Sequence, residues 1–158
     1  MIFVTVGASP FAFDRMLEAV AQLPGERLFV QHGPGEPPAE AARAVDFLSF
    51  AELIEAIATA DVVVSHAGAG SVICALQAGH TPVLVPRLQH HRETVDDHQL
   101  ELARALEAQR RVIVAWDSDR IADAVAAVPP RRPPEPEREL PIHHALRRAL
   151  FGLDPVPG

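Results

Sequence analysis

Short apolar, β-rich runs alternate with helically spaced segments along most of this chain, and this alternation limits the fold more than any single motif. Ile2–Val6 ends at Gly7, and Phe13, Met16, Leu17 and Val20 then recur at helical spacing up to Pro24-Gly25. Arg27–Gln31 reads as a second strand, Pro34–Pro38 as a loop, Ala44–Leu48 as a third strand, and Phe50–Ala58 as a helix with Leu53, Ile54 and Ile57 on one face. Val62–Ser65 is a fourth strand, followed by a helix carrying Val72, Ile73, Ala75 and Leu76 that stops at Gly79. Pro82–Val85, closed by Pro86, is a fifth strand; Val95 to Ala108 is a helix with Leu100, Ala103 and Leu106 inward. Arg111–Ala115 is a sixth strand, and Ile121, Ala124, Val125 and Val128 mark a last helix. Continuous apolar strands require burial on both faces, so the pattern predicts an α/β fold: a single Rossmann-like doubly wound parallel sheet. Its ligand crevice would lie at the carboxyl ends of the strands.

The 158 residues suit one well-buried domain, expected over 1–128. Residues 129–141 hold six prolines and read as an extended linker. Residues 142–158 read as a C-terminal helix and tail, with Ile142, Leu146, Ala149 and Leu150 on one face available to a partner, a membrane surface or the domain itself. The amino terminus reads as a strand rather than a signal peptide, and no apolar run approaches a membrane span, so a cytoplasmic protein is expected. A lone Cys74 excludes an internal disulfide and a cysteine zinc site. The net charge of −7 argues against nucleic acid as a partner, so an anionic ligand must be held locally.

Ser65-His66-Ala67-Gly68-Ala69-Gly70-Ser71, between a strand and a helix, is suited to that task. Glycines let the backbone approach an anion, the helix aims free N–H groups at it, and Ser71 and His66 offer a hydroxyl and a ring N–H. Pro86-Arg87-Leu88, Glu93 and Val95-Asp96-Asp97-His98-Gln99 form a second polar group at the same edge, dense enough for sugar hydroxyls; helix capping by Asp96 or Asp97 explains part of it equally well. Asp117-Ser118-Asp119 reads as a helix start capped by Ser118 or Asp119 rather than a metal-binding pair. His90-His91 with His98 lacks zinc-ligand spacing, and Ser71 lacks a nucleophile elbow.

Taken in order, Val4-Thr5-Val6-Gly7, Phe13-Asp14-Arg15, Ser65 to Ser71, Val85-Pro86-Arg87 and Val95 to Ala103 resemble the C-terminal domain of family 28 glycosyltransferases. The likeness is to its free-standing catalytic subunits, as in two-part N-acetylglucosaminyltransferases and bacterial exopolysaccharide glycosyltransferases. It implies one half of a GT-B fold and an inverting transfer from a UDP-sugar, without a metal or other cofactor. It also implies a separate, membrane-anchored subunit that holds a lipid-linked sugar acceptor and recruits this chain to the cytoplasmic membrane face.

The resemblance further implies that His66 and the backbone of Gly68, Ala69, Gly70 and Ser71 hold the diphosphate, with Gly7 and Ser9 of the first loop. Phe50 would border the uracil, and Asp97, His98 and Gln99 would meet sugar hydroxyls. Arg87 and Glu93 belong to the pattern of the bacterial group, and His66 or Glu93 is the candidate general base if the partner does not supply one. Cys74 stands where many relatives place a ribose-binding glutamate, and Ala8 where they often have threonine. Cys74 motivates the alternative of a non-catalytic nucleotide-sugar-binding or scaffold subunit.

Overall fold

A computed structural model describes residues 1–95 and 98–134. Its strands are β1 (Ile2–Thr5), β2 (Leu28–Gln31), β3 (Arg43–Val45), β4 (Val62–Ser65), β5 (Val83–Leu84) and β6 (Ile113–Val114). They form one sheet in the order β3-β2-β1-β4-β5-β6, every neighbouring pair parallel. Val4 is in register with Val30 on one side and Val64 on the other. The chain builds outward from β1 to β3 and then returns to lay β4 beside β1. Connections after β1 and β4 therefore diverge and leave a crevice between them at the carboxyl edge. Gly7 and His66 lie there, each just past the end of its strand.

Alternate side chains of the strands supply two separate cores, as the period of two requires. Val4, Val30, Val64 and Val83 pack with Met16, Leu17 and Val20 of α1 (Asp14–Val20) and with Ile121 and Ala124 of α5 (Ile121–Ala126). On the opposite face Phe3, Phe29 and Val63 meet Ala56 and Ile57 of α2 (Phe50–Thr59) and Ala75 of α3 (Ala69–Gln77). Leu84 and Val114 meet Val72 of α3 and Ala103 of α4 (His98–Ala108). The sheet is thus covered on both faces, and the doubly wound parallel architecture expected from the sequence is present.

Several boundaries differ, each for a local reason. α3 starts at Ala69, inside the Gly-rich turn, because Gly68 takes an extended N-cap conformation and its carbonyl accepts the first helical bond from Val72 N–H at 3.1 Å. β3 stops at Val45, where the Asp46 carbonyl is drawn aside by the N–H of Gly33 (3.1 Å) and the Gln31 amide (2.8 Å). α2 starts where expected, fixed by a capping box between Ser49 and Glu52. The residue that caps the last helical region is Asp117, not Ser118 or Asp119. A single 3-10 turn, Ser118–Arg120, precedes α5, and Asp117 accepts from Asp119 N–H at 3.1 Å.

The segment expected to be free linker from residue 129 first returns to the domain. Arg131 donates to the carbonyls of Ala78 (2.7 Å) and Ala58 (2.6 Å), and Arg132 N–H donates to Gly79 (2.9 Å). Gly79, at φ +86°, leaves no room for a Cβ beneath the Arg132 carbonyl. The remainder of the expected linker and the tail at 142–158 lie outside the described residues. Among the described residues no helix is long and apolar enough to cross a membrane.

Candidate functional site

β4 delivers the chain to Ser65, and only His66, Ala67 and Gly68 separate it from α3. So abrupt a reversal forces Ala67 into the left-handed region at φ 60°, fully buried, a conformation costing a non-glycine residue about 1–3 kcal/mol. The turn is braced by His66 N–H to the Thr5 carbonyl at 3.2 Å. Because the first helical bond is made by Val72, the N–H groups of Ala69, Gly70 and Ser71 have no acceptor within the helix. A Cβ on Gly70 would meet nothing within 4 Å, so this residue fronts open space. The Ser71 hydroxyl turns inward, 2.8 Å from the Ser65 hydroxyl and 3.1 Å from the Gly68 carbonyl. Ser71 therefore offers an anion its backbone N–H, while its hydroxyl stiffens the turn.

The His66 ring fills the space between Gly7 and Gly68, and a Cβ on either glycine would overlap it. Gly7 is at φ +78°, which also favours glycine. His66 is part-exposed as a residue, but its Nδ1 is buried and has no hydrogen-bond partner among the described residues. Burial, aided by the positive charge of Arg87 and opposed by the Thr5 carbonyl, lowers the imidazole pKa to about 4. His66 is accordingly neutral at pH 7 and can give an anion one ring N–H without adding charge. So weak a base is poorly matched to taking a proton at neutral pH.

That depression sets a pH dependence. A histidine with a folded-state pKa below its unfolded value takes up a proton in the unfolded chain first. The stability contribution is complete above about pH 6.5 and is lost as the pH falls towards about 4, a change of up to about 3 kcal/mol. His80, lowered by burial against the pull of the Ile57 carbonyl, acts with the same sign. Urea denaturation at stepped pH should show the loss, and His66→Ala should flatten it; an unchanged profile in that variant would assign the acid sensitivity elsewhere.

The loop after β1 is held by a residue the sequence reading did not single out. Gln31, at the end of β2, accepts from Gly7 N–H (3.1 Å) and Thr5 Oγ1 (2.6 Å), and donates to the carbonyls of Gly7 (3.1 Å) and Asp46 (2.8 Å). Its amide clamps the ends of three strands together. An amide closing an apolar run was the only available signal. Ser9 accepts from Phe11 N–H at 3.2 Å and shapes the same loop.

Arg87 and Glu93 occupy places unlike those expected. Arg87 is 1% exposed, and its guanidinium donates to the carbonyls of Val6 (2.9 Å), Phe11 (3.0 Å), Ala12 (3.2 Å) and Glu93 (2.9 Å), with its carbon 4.6 Å from the Phe13 ring centre. Burial lowers its pKa to about 10, against the support of the Glu93 charge, so it stays protonated. The Glu93 carboxylate accepts from Arg15 Nε (2.9 Å), the Arg15 terminal nitrogen (2.8 Å) and Leu88 N–H (2.9 Å). Desolvated charges must be paired or hydrogen-bonded, and here the protein interior supplies the partners. Both side chains are buried, and the Glu93 carboxylate is already engaged where a general base would need to be free.

Gln99, in the first turn of α4, accepts from Arg87 N–H at 3.1 Å, and exposed His98 begins the helix. Asp97 lies outside the described residues. Phe50 is the first residue of α2 and 51% exposed, with Phe47 64% exposed just before it, on the β3 side of the crevice. Two strand spacings, about 10 Å, separate β3 from β1. Cys74, in the second turn of α3, packs partly buried against the Phe3 and Phe29 core, and burial raises its pKa, keeping it a thiol. The structure thus brings Gly7, His66, Gly68 and the start of α3 into one cradle, while Phe50 stands exposed at the start of α2, beyond β3.

Residues 1–126 match the glycosyltransferase family 28 C-terminal domain. The chain is 28% identical over 137 residues to the UDP-N-acetylglucosamine transferase subunit ALG13 of Yarrowia lipolytica, covering 77% of this chain and 67% of that protein. It is 34% identical over 117 residues to the Homo sapiens UDP-N-acetylglucosamine transferase subunit ALG13, covering 66% of this chain and 10% of that one. The crystal structure of the glycotransferase of kitacinnamycin superposes on 79% of this chain and 34% of its own, with a TM-score of 0.59 at 19% identity, a likeness of fold. The chain therefore spans a tenth of the human relative and about a third of that solved structure.

Proposed function

Because this chain belongs to the glycosyltransferase family 28 C-terminal domain family, we propose that it is the donor-binding, catalytic half of a two-part inverting transferase. It would take a UDP-sugar and pass the sugar to a hydroxyl of a lipid-linked acceptor presented by a membrane-anchored partner, at the cytoplasmic membrane face. The observation that carries this reading is the cradle itself. Three N–H groups at the start of α3, without helical acceptors, and the neutral His66 ring border the crevice where the sheet reverses direction.

The chemistry follows from that geometry. The acceptor oxygen attacks the anomeric carbon, the bond from that carbon to the diphosphate breaks, and its electron pair leaves on the β-phosphate oxygen. Positive helix-end dipoles and a ring N–H aimed at that oxygen stabilise it as charge develops, without reorganising at the moment of reaction. Proton removal from the acceptor falls to the partner, since His66 is too weak a base and Glu93 is engaged by Arg15. UDP-N-acetylglucosamine is the first donor to test, given the named activity of the ALG13 relatives.

Calorimetric titration with UDP, UDP-N-acetylglucosamine, UDP-glucose and UDP-glucuronate, followed by transfer assays with the membrane partner, tests both parts. UDP binding by this chain and transfer by the pair are expected. Binding without transfer by the reconstituted pair would leave only a nucleotide-sugar-binding subunit. No binding, alone or paired, would overturn the donor site.

A further inference from the structure

We propose that Arg87 is a positioning residue for the anion cradle, locking the loop after β1 to the segment after β5 and holding a fixed positive charge behind His66. The inference rests on reading the turn before α3 as a diphosphate site. It concerns a side chain that does not touch the crevice.

Arg87 spends its donors on backbone carbonyls. Three belong to the first loop, at Val6, Phe11 and Ala12, and one to Glu93 on its own segment. A carbonyl satisfies a buried N–H without cancelling its charge, so the two terminal nitrogens are held by the fold while the group stays cationic; the buried Nε has no partner among the described residues. The Glu93 carboxylate, whose charge acts on Arg87, is committed to Arg15 by two bonds of 2.9 and 2.8 Å. Among the described residues, two guanidiniums against one carboxylate leave this group with one net positive charge, in a chain whose formal net charge is −7.

Its placement is specific. The Val6 carbonyl that receives Arg87 adjoins Gly7, whose Cα forms one wall of the His66 slot. The same charge adds to the burial that lowers the His66 pKa, in keeping with this placement. In a partly desolvated site a fixed cation is screened far less than one at the surface, and it needs no side-chain ordering when an anion arrives. Arg87 thus supplies the positive charge that a neutral histidine and backbone dipoles lack.

The test compares UDP with uridine, which shares the base and ribose but has no diphosphate. Calorimetry or NMR titration of each, on wild type, Arg87→Met, Arg87→Lys and Glu93→Gln, reads the ratio of the two affinities, with stability followed by urea denaturation. Arg87→Met is expected to weaken UDP about tenfold or more while changing uridine little, so the ratio falls. Arg87→Lys, which keeps the charge but not the four-carbonyl grip, is expected to lose stability yet hold the ratio near wild type. Glu93→Gln, which adds one net positive charge, is expected to raise it. A purely structural Arg87 would lower stability in both arginine variants and leave the ratio unmoved, which would overturn the proposal. Should Arg87→Met fail to fold, a wild-type ratio in Glu93→Gln would overturn it equally. Absence of UDP binding by the wild type would instead remove the diphosphate reading beneath it.

Discussion

Glu93→Ala is expected to destabilise the fold by about 3–5 kcal/mol, the range for removing one partner of a buried ion pair. The Glu93 side chain is 7% exposed and that of Arg15 20%, so water cannot replace the lost carboxylate. Three donors lose a shared acceptor, Arg15 Nε, the Arg15 terminal nitrogen and Leu88 N–H, and the terminal nitrogen keeps only the Pro86 carbonyl. Arg15 would then lack its ion-pair partner, and Arg87 the negative charge that supports it. The denaturation midpoint in urea should fall with little change in slope, and the thermal midpoint should drop by on the order of 10 °C. Glu93→Gln keeps acceptor capacity and volume, and should lose less. An alanine variant within about 1 kcal/mol of wild type would mean that the carboxylate does not bridge the two loops in solution.

His66→Ala is expected to weaken UDP binding about 10–100-fold, as for loss of a hydrogen bond to a charged group. Its effect on stability at neutral pH should be small, because the ring carries a buried Nδ1 with no partner, whose cost disappears with the side chain. Gly68→Ala provides the sharper comparison. It keeps the imidazole but puts a Cβ where the ring lies, so the ring must leave its slot. A comparable loss of UDP affinity is expected from both changes, measured by calorimetry at pH 7.5. Wild-type affinity in His66→Ala would place the diphosphate away from the ring; wild-type affinity in Gly68→Ala would show that ring position is immaterial.

The sequence reading succeeded where local pattern and tertiary role coincide. Val4, Val30 and Val64 lie in continuous apolar runs because their strands are covered on both faces, and such runs separated by helical spacing leave few alternatives to a parallel sheet. The Gly-rich turn was visible for a similar reason, since a strand-to-helix reversal this tight depends on specific backbone chemistry at adjacent positions. Arg87 and Glu93 were misplaced because a charged residue in a loop looks the same in sequence whether it faces a ligand or a buried partner. The partner that decides for Glu93 is Arg15, 78 positions earlier. Gln31 was overlooked because its four hydrogen bonds join strand ends that are adjacent only after folding. The end of β3 depended on the same residue.

The slot around His66 also bears on how such a site can change over generations. Its walls are made by two absent side chains, at Gly7 and Gly68, that lie 61 positions apart and on different strand–helix connections. A methyl gained at either position evicts the ring, and a ring lost from the middle leaves two glycines paying a conformational cost with nothing to accommodate. Positions 7, 66 and 68 are thus sterically coupled: a side chain gained at 7 or 68 needs compensation at 66 if the slot is to survive.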